Sequence, residues 1–256
     1  MYKLERMTDV ETLARELDAA LLARREVAPL TKTHGLFELP LAYQVQARGI
    51  ALRLQRGEKI VGYKMGLTSA AKRAQMSLEA PIYGVLTDAM QVRGEVRVSD
   101  GVHPKIEPEI AFLTGRALSG RISRDEALEA LRSVTPALEV LDSRFKGFKY
   151  FSLPDVVADN CSSWRFALGH WTAPRDCGGL RMRMAVDGSV AHEVDSNVIS
   201  GHPLESLVQL VAMLPNPLPA GSIVLAGAAT AAVAIEAGME ISLEVETLGS
   251  VSVRAT

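Results

Sequence analysis

Cysteine is scarce in this chain: Cys161 and Cys177 are the only two among 256 residues. Two thiols build neither a disulfide framework nor a cysteine zinc cage, and a reducing, cytoplasmic setting is the simplest expectation. An excess of charge is also missing. Lys plus Arg total 28 and Asp plus Glu total 30, a formal net charge of −2. That balance speaks against a protein that coats nucleic acid and against a polybasic membrane binder. No stretch of about 18 apolar residues occurs, so no membrane-spanning helix is expected. The opening residues, Met1 to Leu13, carry charge without an apolar core, unlike a secretory signal. The Gly-x-Ser-x-Gly elbow, the phosphate-binding glycine loop and the dinucleotide glycine fingerprint are absent, which removes the main support for serine-hydrolase, nucleotide and nicotinamide chemistry. The five histidines, His34, His103, His170, His192 and His202, show no zinc-site spacing.

What is present is ordinary globular material: 48% hydrophobic residues over a length that fits one large domain or two small ones. The first third reads as helical. Thr8 and Glu11 have capping-box spacing, and Val10, Leu13, Ala14, Leu17 and Leu21 follow at helical intervals. Pro40 suits a first helical turn, ahead of a stripe of Ala42, Val45, Gly49 and Leu52. Residues 60–65 read as a short strand, residues 70–76 as one or two helical turns, and Pro81 and Gly84 as loop markers. From about residue 92 short strands dominate, the candidates being 106–113, 137–141, 164–168, 181–186, 190–194, 222–225, 240–245 and 250–254. Asp187-Gly188 signals a hairpin. Two helices interrupt: one capped by Ser123 and Glu126 and continuing through Leu131 and Val134, the other carrying Leu204, Leu207, Val211 and Leu214. Strands and helices do not alternate, which disfavours a Rossmann or barrel α/β fold. The expectation is an α+β fold: a helical portion over residues 1–90 and a mixed-β roll over residues 91–256, which can pack as one domain.

The most informative segment is His103-Pro104-Lys105-Ile106-Glu107-Pro108-Glu109-Ile110-Ala111-Phe112. On a strand, Glu107 and Glu109 face one way and Ile106 and Ile110 the other. Burying two adjacent carboxylates is costly unless a cation sits between them. Glu139 lies in the apolar run Pro-Ala-Leu-Glu-Val-Leu, where the same cation would explain it. Three carboxylates suit a hard divalent ion, Mg²⁺ or Mn²⁺. The bland alternative is a solvated sheet face with Glu139 paired to an arginine. Lys64 ends an apolar strand before a Gly-Leu-Thr-Ser turn, either as a charge for an anionic substrate, as a tuned acid/base, or as a snorkelling surface lysine. The hydroxyls after Asn160 and the small residues Gly227 to Thr230 are compatible with ligand contacts and equally with tight turns.

Several segments taken in order carry a family resemblance. Val61 to Ser69, Pro81 to Asp88, Ile106 to Phe112, Ala137 to Arg144, Asp159 to Ser163 and Leu248 to Arg254 together resemble the hydratase/decarboxylase group of the fumarylacetoacetate hydrolase superfamily. The likeness spans nearly the whole chain. It implies a mixed-β roll with a helical N-terminal portion, and Mg²⁺ or Mn²⁺ held by Glu107, Glu109 and Glu139. It implies Lys64 as the catalytic group, with Leu67, Thr68, Ser69, Ile82, Ser162 and Ser163 around the substrate. The hydratases have Pro-Asp-Phe-Gly where this chain has Pro81-Ile82-Tyr83-Gly84, and Ile82 can transfer no proton. Residues 103–109, 148–155 and 227–230 are more like the decarboxylase branch. The implied reaction is metal-dependent loss of carbon dioxide from 2-oxo-3-hexenedioate, with no pyridoxal or Schiff base. Water addition to a dienoate is the first alternative. Carbon–carbon hydrolysis using His34 with Glu38 and a non-catalytic subunit are further ones. The implied partners are a small dicarboxylate 2-oxo acid, the pathway's 2-oxopent-4-enoate hydratase and further copies of this chain, with no nucleic acid and no membrane.

Overall fold

The computed structural model describes residues 2–34, 37–68, 81–148 and 152–256. Helix α1 (Tyr2–Ala23) starts before the expected cap, because Lys3 to Met7 are good helix formers and the helix propagates back through Thr8. The short α2 (Leu30–Thr33) and α3 (Leu39–Gln55) follow, with Pro40 in the first turn of α3. Leu13, Ala14 and Leu17 of α1 meet Ala42, Val45 and Leu52 of α3 in one buried apolar cluster. That cluster also takes in Val156, Val157 and Ala158 of a later helix and Ile82.

The chain then enters a sheet of seven strands. Strands β1 (Ile60–Gly66) and β2 (Ile82–Thr87) are antiparallel neighbours. The sheet continues through β9 (Ile223–Leu225), β4 (Lys105–Thr114), β5 (Leu131–Leu141) and β6 (Ser163–Leu168), while β10 (Val233–Ala234) pairs β4 off the main path. Strands from either side of residue 90 therefore share one sheet. Its first and last strands approach each other: Gln91, just past β2, bridges to Phe166 of β6. The residues on the concave side, Leu86, Ala111, Ala137, Phe166 and Leu225, form a small buried cluster of their own.

A second sheet, in the order β3 (Glu95–Val96), β12 (Gly249–Ala255), β11 (Glu240–Val245), β7 (Arg181–Val186) and β8 (Ser189–Asp195), packs on the other side. Between the sheets lies the main core, where Ile106, Ile110, Phe112, Leu138 and Val140 meet Met182, Met184, Ile241, Leu243 and Val253. Period-two alternation along β4 thus sends Ile106 and Ile110 to this core and Glu107 and Glu109 to the concave side. The β7–β8 hairpin turns on Asp187 and Gly188, both with positive φ, as the I′ signal requires.

Helices α4 (Arg124–Glu129), α5 (Leu153–Ala158) and α6 (Pro203–Met213) complete the described elements. Ser123 and Glu126 form the expected capping box on α4. The helix is shorter than its apolar spacing suggests: Leu131 and Val134 belong to β5, since Thr135-Pro136 disfavours helix at the residue before proline. The other difference is β2. Pro81 and Gly84 read as loop markers, yet Gly84 is in mid-strand because two groups crowd the position where a Cβ would sit. Residues 70–76, read as helical turns, lie outside the described residues.

Two glycines separate these effects. A Cβ on Gly62 of β1 would stand 1.8 Å from the Ile223 carbonyl oxygen of β9, whereas a Cβ on Gly49 of α3 meets nothing within 4 Å. Gly62→Ala should cost about 3 kcal/mol of stability, the upper end for over-packing. Gly49→Ala should add about 0.5–1 kcal/mol through helix propensity. Urea midpoints of both variants check the pair; equal midpoints would contradict the close β1–β9 approach.

Candidate metal and catalytic site

Glu107 and Glu139 are direct partners across the β4–β5 ladder, and Glu109 follows on the same face. The three are buried, with relative exposures of 8%, 0% and 0% for Glu107, Glu139 and Glu109. One carboxylate oxygen from each lies within 4.8 Å of the others. Lys64 enters from β1, which meets β4 through β9: Lys64 is level with Leu225, and Leu225 with Ala111. Its Nζ donates to Glu139 Oε2 at 3.0 Å, and Lys64 itself is 4% exposed. The Gly227 N–H donates to Glu109 Oε2 at 2.7 Å. Gly227 has φ of 108°, and a Cβ there would press on Thr68 Cγ2 at 2.5 Å, so glycine is required on both counts.

The electrostatics of this cluster are unbalanced. Burial, and then the Glu139 and Glu107 charges, push the Glu109 carboxyl well above its ordinary range; Lys64 and the Gly227 N–H pull the other way. For Lys64, burial works against its charge, but Glu139, Glu107 and Glu109 together hold the ammonium above its usual value. Lys64 is paired directly with Glu139. Glu109 Oε1 and Glu139 Oε1 are also buried without a hydrogen-bond partner. A buried acceptor left unmatched costs about 1–3 kcal/mol, more when charged. An all-oxygen donor set with two unmatched buried acceptors fits a hard divalent cation. Glu107, Glu109 and Glu139 are the residues that would hold it.

The remaining expected residues fall into three groups. Thr68 is buried against Gly227, beside the glutamates. Leu67 and Ile82 belong to the apolar cluster of the helical portion, with Ile82 level with Gly66 across the β1–β2 ladder. Ser162 is buried in a turn, where its N–H donates to the Asp159 carbonyl and its own carbonyl accepts from Asp142 N–H. The buried Ser163 hydroxyl, which has no hydrogen-bond partner, lines a cavity of about 50 Å³ with Arg144, Asp159 and Asn160, and none of the three glutamates is on that wall. Ser69 lies outside the described residues. His34 is hydrogen-bonded to Thr33, and Glu38 precedes α3 as its cap.

Some supporting residues escaped sequence reasoning. Arg144 Nε donates to Asp159 Oδ1 at 2.5 Å, and the Asp142 carboxylate accepts from the His103 N–H at 2.6 Å, so the turns leading into β4 and out of β5 are pinned together. Gly84 faces Lys64 across the ladder. The signal for Gly227 was visible in its small-residue run.

A family model for the fumarylacetoacetate hydrolase C-terminal domain matches residues 59–255, and the chain belongs to that family. Its fold and its buried acidic cluster are those of a metal-binding enzyme of the group. Among curated proteins, a 4-oxalocrotonate decarboxylase from Pseudomonas sp. is 43% identical over 253 residues, covering 96% of this chain and 98% of the relative. A 2-hydroxyhexa-2,4-dienoate hydratase from Comamonas testosteroni is 31% identical over 258 residues, covering 96% and 97%. Among solved structures, 4-oxalocrotonate decarboxylase from Pseudomonas putida G7, complexed with magnesium and adipate, superposes with a TM-score of 0.94 at 37% identity and 98% coverage of both chains.

The raised Glu109 pKa sets the sign of two effects. An unfolded chain releases this proton near the ordinary value of 4.5, whereas the folded, metal-free protein holds it to higher pH. This group's contribution to metal-free stability is therefore fully present below that value and lost as pH rises through the folded pKa. With chelator present, Glu109→Gln should be at least as stable as wild type at pH 8, and should lose the stabilisation that Mg²⁺ confers. Mg²⁺ must displace the proton, so its affinity should rise with pH and binding should release protons. Calorimetry in two buffers of different ionisation enthalpy reads the release; identical apparent enthalpies would refute it.

Proposed function

We propose that this chain is a metal-dependent 4-oxalocrotonate decarboxylase, converting 2-oxo-3-hexenedioate to 2-hydroxypenta-2,4-dienoate and carbon dioxide. The observation that carries this reading is the buried Glu107–Glu109–Glu139 cluster with Lys64 bonded to it, in a chain alike over its whole length to relatives of that name. Bound there, Mg²⁺ or Mn²⁺ supplies Lewis-acid polarisation of the 2-oxo acid end of the substrate.

The chain's own residues do the rest. The electron pair of the breaking C5–C6 bond moves into a new C4–C5 double bond. The former C3–C4 double bond shifts to C2–C3, and negative charge collects on the 2-oxo oxygen. Lys64 is the catalytic group placed to offset that charge and to give the enol its proton. In the metal-free protein the surrounding carboxylates hold its ammonium in the charged form, the form that offsets negative charge on the substrate oxygen. Gly227, by holding Glu109 from the backbone, keeps one acidic side chain turned toward the cation site. Thr68, backed by Gly227, borders the substrate, with Leu67, Ser69 and Ser162 as further substrate contacts; the Ser163 hydroxyl, which lines a separate cavity, is left out of that set. Ile82 contributes apolar surface where a neutral product leaves a charged precursor. Water addition would need a proton donor at that position, and isoleucine supplies none.

The dienol product is short-lived, so a 2-oxopent-4-enoate hydratase is the partner we infer, with homo-oligomers of this chain in the same assembly. No described helix is long and apolar enough to cross a membrane. Both buried cysteines are unpaired, which supports our reading of a cytoplasmic location.

The test is turnover of 2-oxo-3-hexenedioate by the purified chain with and without Mg²⁺, following carbon dioxide and the dienoate absorbance. Glu107→Gln should abolish Mg²⁺-dependent release, and Lys64→Ala should lower kcat by about 10²–10³-fold, the scale of losing one preorganised charge partner. Water addition to 2-hydroxypenta-2,4-dienoate without carbon dioxide release from the dicarboxylate would overturn the decarboxylase reading in favour of a hydratase.

A further inference from the structure

Strand β2 ends its sheet, so Tyr83 and Val85 present backbone polar groups along an open edge. Such an edge ordinarily recruits another strand. Here side chains take that place. The Asn160 amide accepts from the Val85 N–H through Oδ1 at 2.8 Å and donates from Nδ2 to the Val85 carbonyl at 2.9 Å. One side chain thus reproduces the two-bond pairing of an antiparallel ladder. The Gln46 amide, from α3, donates to the Tyr83 carbonyl at 3.0 Å and the Val157 carbonyl at 3.1 Å. The Cys161 thiol donates to the same Tyr83 carbonyl at 3.1 Å.

The backbone that presents these groups is strained. Asn160, Cys161 and Ser162 have φ of 47°, 54° and 57°, three successive non-glycine residues in the left-handed region. Runs of this kind are unfavourable for L-residues and persist only where the surroundings over-determine them. The position of the turn shows what it secures. β6 starts at Ser163, immediately after the turn, and pairs with β5, the strand of Glu139. β2 pairs with β1, the strand of Lys64. At this end of the sheet the Asn160 amide joins the two strand pairs. A Cβ on Gly84 would stand 2.8 Å from the Asn160 carbonyl oxygen and 3.3 Å from Lys64 Cγ, so the turn and the stem of the lysine both close on Gly84, which faces Lys64 across the ladder.

We propose that Asn160 is a positioning residue for Lys64: its amide closes the gap between β2 and the start of β6, and so fixes Lys64 Nζ against Glu139. The inference rests on the reading of Lys64 as the catalytic group.

The experiment compares wild type, Asn160→Ala, Lys64→Ala and the double variant through two measurements. The first is kcat and KM with Mg²⁺ and 2-oxo-3-hexenedioate. The second is the rate at which acetic anhydride acetylates Lys64 in the metal-free protein, read by peptide mass spectrometry, which needs no turnover. Asn160→Ala should lower kcat by about 10–100-fold, the scale of an ångström of misplacement, with KM little changed. In the Lys64→Ala background it should cause no further loss. Acetylation of Lys64 should accelerate several-fold while other lysines keep their rates. An additive loss in the double variant, or unchanged Lys64 labelling, would overturn the proposal. If Asn160→Ala does not fold, Asn160→Gly removes the same amide and relieves the left-handed strain. Wild-type protein without turnover would count against the decarboxylase reading alone, and the labelling comparison would still decide the positioning.

Discussion

Three carboxylates buried within one cluster repel one another, and much of the structure answers that repulsion. Glu107 and Glu139 face each other across a ladder and Glu109 sits beside them, all three buried. In a low-dielectric interior, like charges at such distances cannot all persist without compensation. Lys64 offsets part of it, and the Gly227 N–H satisfies one oxygen. Two further carboxylate oxygens stay unmatched by the protein. The cluster is thus an instability of the metal-free chain that a divalent cation relieves. Folding and metal capture become linked through the protonation of Glu109.

Holding such a cluster requires rigid surroundings, and the architecture supplies them on three sides. The outer face of β4 and β5 is locked by the apolar core shared with the second sheet. The concave face below the carboxylates is filled by Leu86, Ala111, Ala137, Phe166 and Leu225. Asp142, Arg144 and Asp159 tie together the turns around the ends of β4, β5 and β6. Burial pushes the Asp159 carboxyl up to about 6 despite the Arg144 guanidinium beside it. That ion pair is therefore retained at a cost in stability, as buried ion pairs often are. Its evident return is geometric, since Asp159 immediately precedes the left-handed turn.

Much of this was legible in the sequence. Short strand-like runs located β4, β5, β7, β8, β11 and β12 within a residue or two, apart from the N-terminal half of β5. The Glu107–Glu109 spacing identified a shared face, and the incongruity of Glu139 in an apolar run pointed to a cation. The illegible parts have physical reasons. Gly84 looked like a loop residue because glycine in a strand is locally unfavourable, and only the approach of Asn160 and the Lys64 stem explains it. Leu131 and Val134 fit a helical stripe by spacing, but both periods are satisfied by short apolar runs, and pairing with β4 decides for the strand. Asn160 and Gln46 act through long-range contacts, separated in sequence by 75 and 37 residues from the carbonyls of Val85 and Tyr83 that they bind. No local pattern encodes such pairs.

The scaffold also clarifies how decarboxylation and hydration can share one family. Decarboxylation runs from a 2-oxo acid to a dienol and hydration starts from a dienol, so both handle the same oxygen-bearing end of the substrate; in the reading proposed above, that end meets the acidic cluster and Lys64. The difference arises at the far end of the substrate, where hydration needs a proton delivered to carbon and decarboxylation needs a carboxylate left poorly solvated. Position 82 lies at the junction of the helical portion and the sheet, buried in an apolar cluster and level with Gly66, two residues from Lys64. An aspartate there would carry a desolvation penalty that raises its pKa, which suits a proton donor. Isoleucine instead extends the apolar cluster toward the site and removes the acid. On the proposed reading, the side chain at position 82 therefore shifts the balance between the two outcomes by supplying or withholding that acid.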